Sequence, residues 1–469
     1  MPYTEPFRPQ FHFSPAANWL NDPNGLVYYE GEYHLFYQYH PHSTVWGPMH
    51  WGHAVSPDLV HWTELPIALY PDAIGDIWSG SVVVDEANTC GLLPGGGLAA
   101  VYSYNNQSVG LATSGDRGRT WTKYAGNPVM PSGGELFRDP KVSWHQPTGR
   151  WTMVISAGDR VKFFTSPDLI HWTFASDFSR GGGDGEWECP DLFPLTLDGE
   201  TKWVLIASVG VSASADKMAQ YFIGSFDGTT FTDENPAGTA LRLDYGPDNY
   251  AGVTFNNAPG GERVLVGWMN NWDYAKDTPT DPWRGAMTLP RHLELRLTPE
   301  GVRLAQRPVA ALDSLHGRPQ RWANQTVAPG TNLLAGVTGR ALDILAEFEP
   351  GDAAGFGFRV HTGGNTGTTV GYDAVGQKLF VDRARSGQTG FYPGFAAVHW
   401  ADLALEHGRV KLRILVDWSS VEVFGGDGQA VITSQVFPDG DGLELYALGG
   451  EAKLVSLEIY PLNSIWEAT

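Results

Sequence analysis

The segment S56-P-D-L-V-H-W62 recurs along the chain as S114-G-D-R-G-R-T-W121, S166-P-D-L-I-H-W172 and S225-F-D-G-T-T-F231. Every copy has a polar start, an Asp-containing turn and a closing aromatic followed by Thr. The closing residues Trp62, Trp121, Trp172 and Phe231 stand 59, 51 and 59 residues apart. That spacing suits one small antiparallel sheet per unit, repeated around an axis. A fainter fifth copy, L297-T-P-E-G-V-R-L304, ends the series. The repeat therefore predicts an all-β fold in which residues 1–310 form a five-bladed β-propeller.

Outward from the repeat, strand-like runs at 25–38, 81–84, 151–156, 203–208 and 264–268 are punctuated by Gly, Pro, Asn and Asp. After residue 310 the texture changes. The stretch A310-A-L-D-S-L-H-G-R-P-Q-R-W322 reads as a connector, so a linker is expected over 311–325. Beyond it, V410-K-L-R-I-L-V416, V421-E-V-F424, A430-V-I-T-S-Q-V-F437 and A452-K-L-V-S-L-E-I-Y460 alternate as strands, with G425-G-D-G428 as a hairpin reversal. A β-sandwich over 326–469 is the expectation.

Composition narrows the partners. A chain of 469 residues exceeds the usual single core, which agrees with two domains. Its 18 Trp exceed the needs of an unstructured chain and suit sugar-stacking platforms. The formal net charge of -21 argues against nucleic acid and anionic membrane, leaving a neutral or cationic ligand. Cys90 and Cys189 are the only cysteines, which excludes a disulfide framework or a Cys-rich metal site. The start M1-P-Y-T-E-P-F-R-P-Q10 has neither the basic residues nor the apolar run of a secretory signal. As written the chain reads as cytoplasmic, and as secreted if a signal has been removed.

Three carboxylates stand close ahead of prolines in aromatic- and amide-rich surroundings: Asp22 in N18-W-L-N-D-P-N-G25, Asp139 in F137-R-D-P-K141 and Glu188 in W187-E-C-P-D-L-F193. Proline favours extended geometry before it and cannot donate to a ladder, so each segment reads as a strand end running into a fixed bend. A propeller brings such segments from different blades to one axis. Retaining glycoside hydrolysis needs a nucleophilic carboxylate and a protonated one roughly 5 to 5.5 Å away. The amides of Asn21 and Asn24 around Asp22 suit the nucleophile. Arg138 next to Asp139 suits an ionised clamp for sugar hydroxyls. Trp187 and Cys189 around Glu188 suit a raised proton affinity and hence an acid. Taken singly, Asp22 fits a turn, Asp139 a surface ion pair, and Glu188, with Glu186 and Asp191, a solvated face. Their occurrence together in one repeat architecture favours the catalytic reading.

These segments, with Y33-H-L-F-Y-Q-Y-H-P41, W46-G-P-M-H-W-G-H53, W78-S-G-S81, D244-Y-G-P-D-N-Y-A251, G267-W-M-N-N-W272, the run Trp283 to Arg291 and V416-D-W-S-S-V-E-V-F424, resemble glycoside hydrolase family 32, the β-fructofuranosidases that include bacterial levanases and exo-inulinases. The resemblance covers nearly the whole chain and implies a five-bladed propeller followed by a β-sandwich. It implies a retaining hydrolase that releases fructose from terminal β-D-fructofuranosides, with levan and inulin as substrates and sucrose and fructo-oligosaccharides as smaller ones. Asp22 is then the nucleophile, Asp139 the transition-state stabiliser and Glu188 the acid/base. Asn21, Gln38, Trp46, Trp78, Ser79, Arg138 and Trp272 line the fructosyl pocket. Trp78 stands where the family often has Phe. No cofactor is implied, and His50 and His53 lack a third ligand for a metal. The alternatives are an endo-acting levanase or inulinase or a fructosyltransferase on the same scaffold, an inverting pentose-specific propeller glycosidase, and a fructan-binding lectin. The intact Asp22 and Glu188 speak against the lectin.

Overall fold

The computed structural model describes residues 3–132, 136–180, 185–210, 218–236 and 241–466. Every copy of the repeat is the outer hairpin of a sheet built on four antiparallel strands, two of the sheets carrying a short fifth strand as well. The reason is local. Asp58 accepts the amides of Val60 and His61 at 3.0 and 2.9 Å, and the Trp62 indole donates to the carbonyl of Leu59. Asp168 repeats this with Ile170, His171 and Trp172. Asp116 and Asp227 hold the same turn through the amides of Thr120 and of Thr229 and Thr230. The Asp thus nucleates the turn and the Trp both fills the gap beside the sheet and satisfies its own N–H.

The five sheets share one order. Their innermost strands are Asn18–Tyr29, Ile77–Val84, Phe137–His145, Trp187–Leu197 and Tyr250–Thr254, and each is followed outward by three antiparallel strands. Neighbouring innermost strands touch in ring order, the fifth against the first. Ring closure comes from a long loop of the fifth blade. Its short strand Trp283–Arg284 pairs in parallel with Asn18 and Trp19, and the Met287 amide donates to Phe13. Apolar clusters fill the spaces between blades.

The propeller ends with the strand Gly301–Pro308, and a 3-10 turn, Ala310–Leu315, follows. The expected linker of 311–325 is shorter here, because Gln320–Val327 already pairs with Ala452–Pro461 in the sandwich. Residues in that strand are mostly exposed, so it shows little of the alternation by which a buried strand is read. The sandwich packs a six-stranded sheet on a five-stranded one around a core of Val, Leu, Ile and Phe.

Buried charges join the two domains. Asp417 of the sandwich accepts the amides of Gln10 and Phe11 and lies 2.7 Å from His12 Nδ1. Glu422 is 3.4 Å from His12 Nε2 and 3.3 Å from Arg291, which also bonds Asp244 at 2.9 Å. Asp248 of the propeller meets Arg383 of the sandwich at 2.7 Å. Every side chain in these pairs is buried.

Candidate active site

All five innermost strands carry a bulge near their start, where two residues face one on the next strand. Asn21 and Asp22 face Gln38, Trp78 and Ser79 face Ser103, Asp139 and Pro140 face Ile155, Cys189 and Pro190 face Ala207, and Ala251 and Gly252 face Gly267. A bulge bends the strand and re-aims its side chains. The prolines therefore do not end strands, as the sequence suggested; the strands run through them. Pro140 and Pro190 occupy bulge positions, where the missing N–H leaves no ladder bond unmade.

In blades three to five the first bulge residue is left-handed, with φ of 64° at Asp139, 46° at Cys189 and 53° at Ala251. That conformation is disfavoured for side chains beyond Gly. The neighbouring blade compensates by catching each freed amide: Asp139 donates to Ser103 Oγ at 2.9 Å, Cys189 to Asp139 Oδ2 at 3.0 Å and Ala251 to Ser208 Oγ at 2.9 Å.

The bulges turn the three acids into one cavity of about 580 Å³ at the mouth of the axis. Its lining contains all ten residues expected from the sequence: Asn21, Asp22, Gln38, Trp46, Trp78, Ser79, Arg138, Asp139, Glu188 and Trp272. Ser79 Oγ donates to Asp22 Oδ2 at 2.7 Å and Asn21 Nδ2 to Asp22 Oδ1 at 3.0 Å, which fixes both carboxylate oxygens. The Trp19 indole orients Asn21 at 2.7 Å, and Asn24 bonds the Asp22 carbonyl at 2.6 Å. Trp46 is half exposed at the rim, and Trp272 packs on Trp268 with ring centroids 4.8 Å apart.

The sequence reasoning missed Gln107, Leu136, Glu186, Gly210 and Asp273 in the lining, and Tyr250 and Cys189 beneath it. Glu186 had a legible signal, since residues two apart on a strand share a face and Glu188 was already assigned. Tyr250 lay in a motif carrying the resemblance. It donates a short hydrogen bond to Glu188 Oε2. The buried thiol of Cys189 lies 3.5 Å from Asp22 Oδ2 and 3.7 Å from Asp139 Oδ2.

Arg138 is arranged differently from the expectation. Its Nη2 donates to Glu186 at 2.7 Å and to Glu188 at 3.0 Å, whereas its Nε stands 3.9 Å from Asp139. Burial pushes Asp139 up to about 6, against the lowering pull of Arg138. Burial also pushes Glu188 up to about 7, with Arg138 opposing and Asp139 adding to the rise. The cause at Glu188 is therefore the closed site and its carboxylates. Trp187, its neighbour in sequence, points the other way and stacks on Phe222. One cavity thus holds an oriented carboxyl at Asp22 and a second carboxyl, Glu188, whose proton affinity burial raises towards neutrality.

Further along the same strands the axis is closed. Asn256 bonds the carbonyls of Leu26, Val82 and Val142 from blades one, two and three. Lys141 pairs with Asp191 at 3.2 Å, and Asp191 accepts the Thr254 amide and hydroxyl.

Comparison with known proteins matches residues 12–308 to the glycosyl hydrolases family 32 N-terminal domain and residues 311–461 to the family 32 C-terminal domain. The chain belongs to glycosyl hydrolase family 32. As a member of family 32 it is a glycosidase, and its propeller and sandwich are the architecture that the repeat and the change of texture predicted. A levanase of Bacillus subtilis (strain 168) is 53% identical over all of this chain and 72% of its own length. A levanase of Bacillus sp. (strain L7) is 44% identical over 99% of this chain, which spans about half (53%) of that relative. An extracellular exo-inulinase of Aspergillus awamori is 38% identical over 99% of this chain and 96% of its own. A crystal structure of exo-inulinase from that organism superposes with a TM-score of 0.93 at 38% identity, covering 99% of this chain and 100% of the other. Among the described residues no helix is long and apolar enough to cross a membrane.

Proposed function

We propose that this chain hydrolyses terminal β-D-fructofuranosyl linkages with retention and releases fructose from levan and inulin, with sucrose and fructo-oligosaccharides as smaller substrates. The observation that carries this reading is the facing pair of Asp22, held at both oxygens, and Glu188, raised to about 7 by burial. The relatives named levanase and exo-inulinase supply the sugar. In this reading Asp22 attacks the anomeric carbon while the Glu188 proton passes to the departing oxygen. A fructosyl-enzyme ester forms and the glycosidic C–O bond breaks. Glu188, now a carboxylate, takes a proton from water as that water displaces Asp22. Asp139 and Arg138 hold the ring hydroxyls and respond to charge developing on the ring.

Chain-end attack is favoured by the closed axis. The carbonyls of Leu26 and Val142 that Asn256 bonds lie four and three residues beyond Asp22 and Asp139, and Lys141 and Asp191 lie two and three beyond Asp139 and Glu188, roughly 7 to 13 Å deeper along extended strands. A polymer thus has no exit through the floor of the pocket. We read the activity as extracellular, a reading supported by a polymeric substrate and by a relative named as an extracellular exo-inulinase.

The test is product analysis on sucrose, inulin and levan with the native chain, Asp22→Asn and Glu188→Gln, together with NMR of the first anomer released. Free fructose of retained configuration from the native chain alone is expected, with activity about 10⁴-fold lower in Asp22→Asn. Early oligosaccharides indicate endo cleavage, and undiminished Asp22→Asn removes Asp22 as nucleophile.

A further inference from the structure

Arg138 is shared. Its Nη2 carries two protons, and the structure directs one to Glu186 Oε2 at 2.7 Å and the other to Glu188 Oε1 at 3.0 Å. Glu186 and Glu188 flank Trp187, so both turn to the axis while the indole turns into the blade. The Glu186 backbone is pinned, because its carbonyl accepts the Gly210 amide at 3.2 Å. Its side chain is about a third exposed (29%) at the pocket mouth, whereas Glu188 (16%) lies deeper. Three acids therefore stand around one guanidinium: Asp139 beside it on blade three, and Glu186 and Glu188 from blade four. Tyr250 from blade five donates to Glu188, which also feels the charges of Asp139 and Asp22.

We propose that Glu186 is a positioning residue for proton transfer: by occupying half of Arg138 Nη2 it keeps the guanidinium from committing to Glu188, so Glu188 remains protonated for the leaving group. The inference rests on the acid/base role proposed for Glu188. Arg138 is required at the site as a hydroxyl clamp, yet an Arg committed wholly to one carboxylate holds that carboxylate ionised. Glu186 resolves this conflict. It supplies a stronger partner, 0.3 Å closer than Glu188, and adds a negative charge that disfavours a second one nearby. The substrate is neutral and adds no charge to this balance on entering.

Replacing Glu186 by Gln removes the charge and leaves only a weaker neutral acceptor, and both changes act in one direction. Arg138 is drawn more strongly to Glu188, the nearby negative charge is gone, and Glu188 ionises at lower pH. The measurement is kcat/KM for fructose release from sucrose between pH 4 and 9, in the native chain, Glu186→Gln and Glu186→Asp, alongside thermal unfolding. The expected result is an alkaline limb moved down by about half a pH unit or more in Glu186→Gln, which is about a threefold or greater loss above the limb. The loss on the acid side is smaller than the loss above the limb, and Glu186→Asp lies between Glu186→Gln and native. Two results overturn the proposal: a limb that does not move, or a rise in KM of equal size at every pH, which makes Glu186 a contact for the leaving sugar. Failure of the native chain to release fructose instead sinks the functional reading on which the inference rests, and the two failures are told apart by the native profile alone.

Discussion

Removing the Tyr250 hydroxyl moves the pH profile in the opposite direction from removing Glu186. The phenol of Tyr250 is buried and donates to Glu188 Oε2 through a short hydrogen bond. Such a bond stabilises the carboxylate over the carboxylic acid, and among the influences on Glu188 it is one of those that lower its proton affinity. Hydrogen bonds to charged groups contribute about 1.5 to 3 kcal/mol. At about 1.4 kcal/mol per pH unit, losing this one raises Glu188 from about 7 by about one to two units. Tyr250→Phe keeps the ring and its packing, so the effect is confined to the hydroxyl. The assay is kcat/KM for fructose release against pH, whose alkaline limb reports the acid of the free enzyme. The limb is expected to extend to higher pH by at least about one unit. A limb that stays in place or moves down refutes the assignment of Tyr250 as a donor to the acid/base.

Three further outcomes follow from the geometry. Because burial raises Glu188 from 4.5 to about 7, its contribution to stability is full below about pH 4.5 and is lost as pH rises through 7. Glu188→Gln should therefore gain on the native chain between pH 5 and pH 8 by at most about 3 kcal/mol in denaturant melts, and a gap independent of pH contradicts the electrostatic account. At the domain interface, burial opposes the charge on His12, but Asp417 and Glu422 outweigh it and push it up to about 9. That stabilisation is complete below about pH 6.5 and is lost as pH rises through 9. His12→Gln should cost about 3 to 5 kcal/mol at pH 6 and clearly less at pH 9.5, so an equal cost at both values excludes the charged pair. Gly25 has φ of 55°, and a Cβ there would stand 2.7 Å from Phe36 and 2.8 Å from Val82. Gly25→Ala should lower stability by about 1 to 3 kcal/mol, and an unchanged melting temperature shows that the close approach relaxes freely.

The legible parts of this fold are those whose cause is local. An Asp that catches the next turn amides and a Trp that donates back into the same turn leave a recurring signature, and four such hairpins were readable as S-x-D-x-x-x-W, its Phe variant and one copy a residue longer. The acids were readable because their segments are locally unusual. What sequence hides is contact across blades. Asp139 is held by Ser103 and the Cys189 amide, and Glu188 by Arg138 and Tyr250, groups about 36 to 62 positions distant in the chain. For the same reason the cause of the raised Glu188 was misplaced onto Trp187, which packs away from the site. Asp244 and Asp248 carry part of the family resemblance, yet their work is to bond Thr433 and Arg383 across the domain interface, with Asp244 also bonding Arg291 there. Gln107 gave no signal at all, being a turn residue brought to the pocket only by the ring.

The five bulges have an implication for how the scaffold divides labour. The three acids reach the pocket from three different places about the bulges of their strands. Asp22 uses the second bulge place on blade one, Asp139 the first on blade three, and Glu188 the place before the bulge on blade four. No two acids use the same place. A ring of near-equivalent units thereby presents its carboxylates at three heights and three bearings around one sugar, so the rotational likeness of the blades is broken at the only point where an asymmetric ligand must be held. Transplanting an acid to the matching position of another blade would therefore change its height as well as its bearing. The chemistry is tied to the offset between places, and the repeat alone does not preserve it.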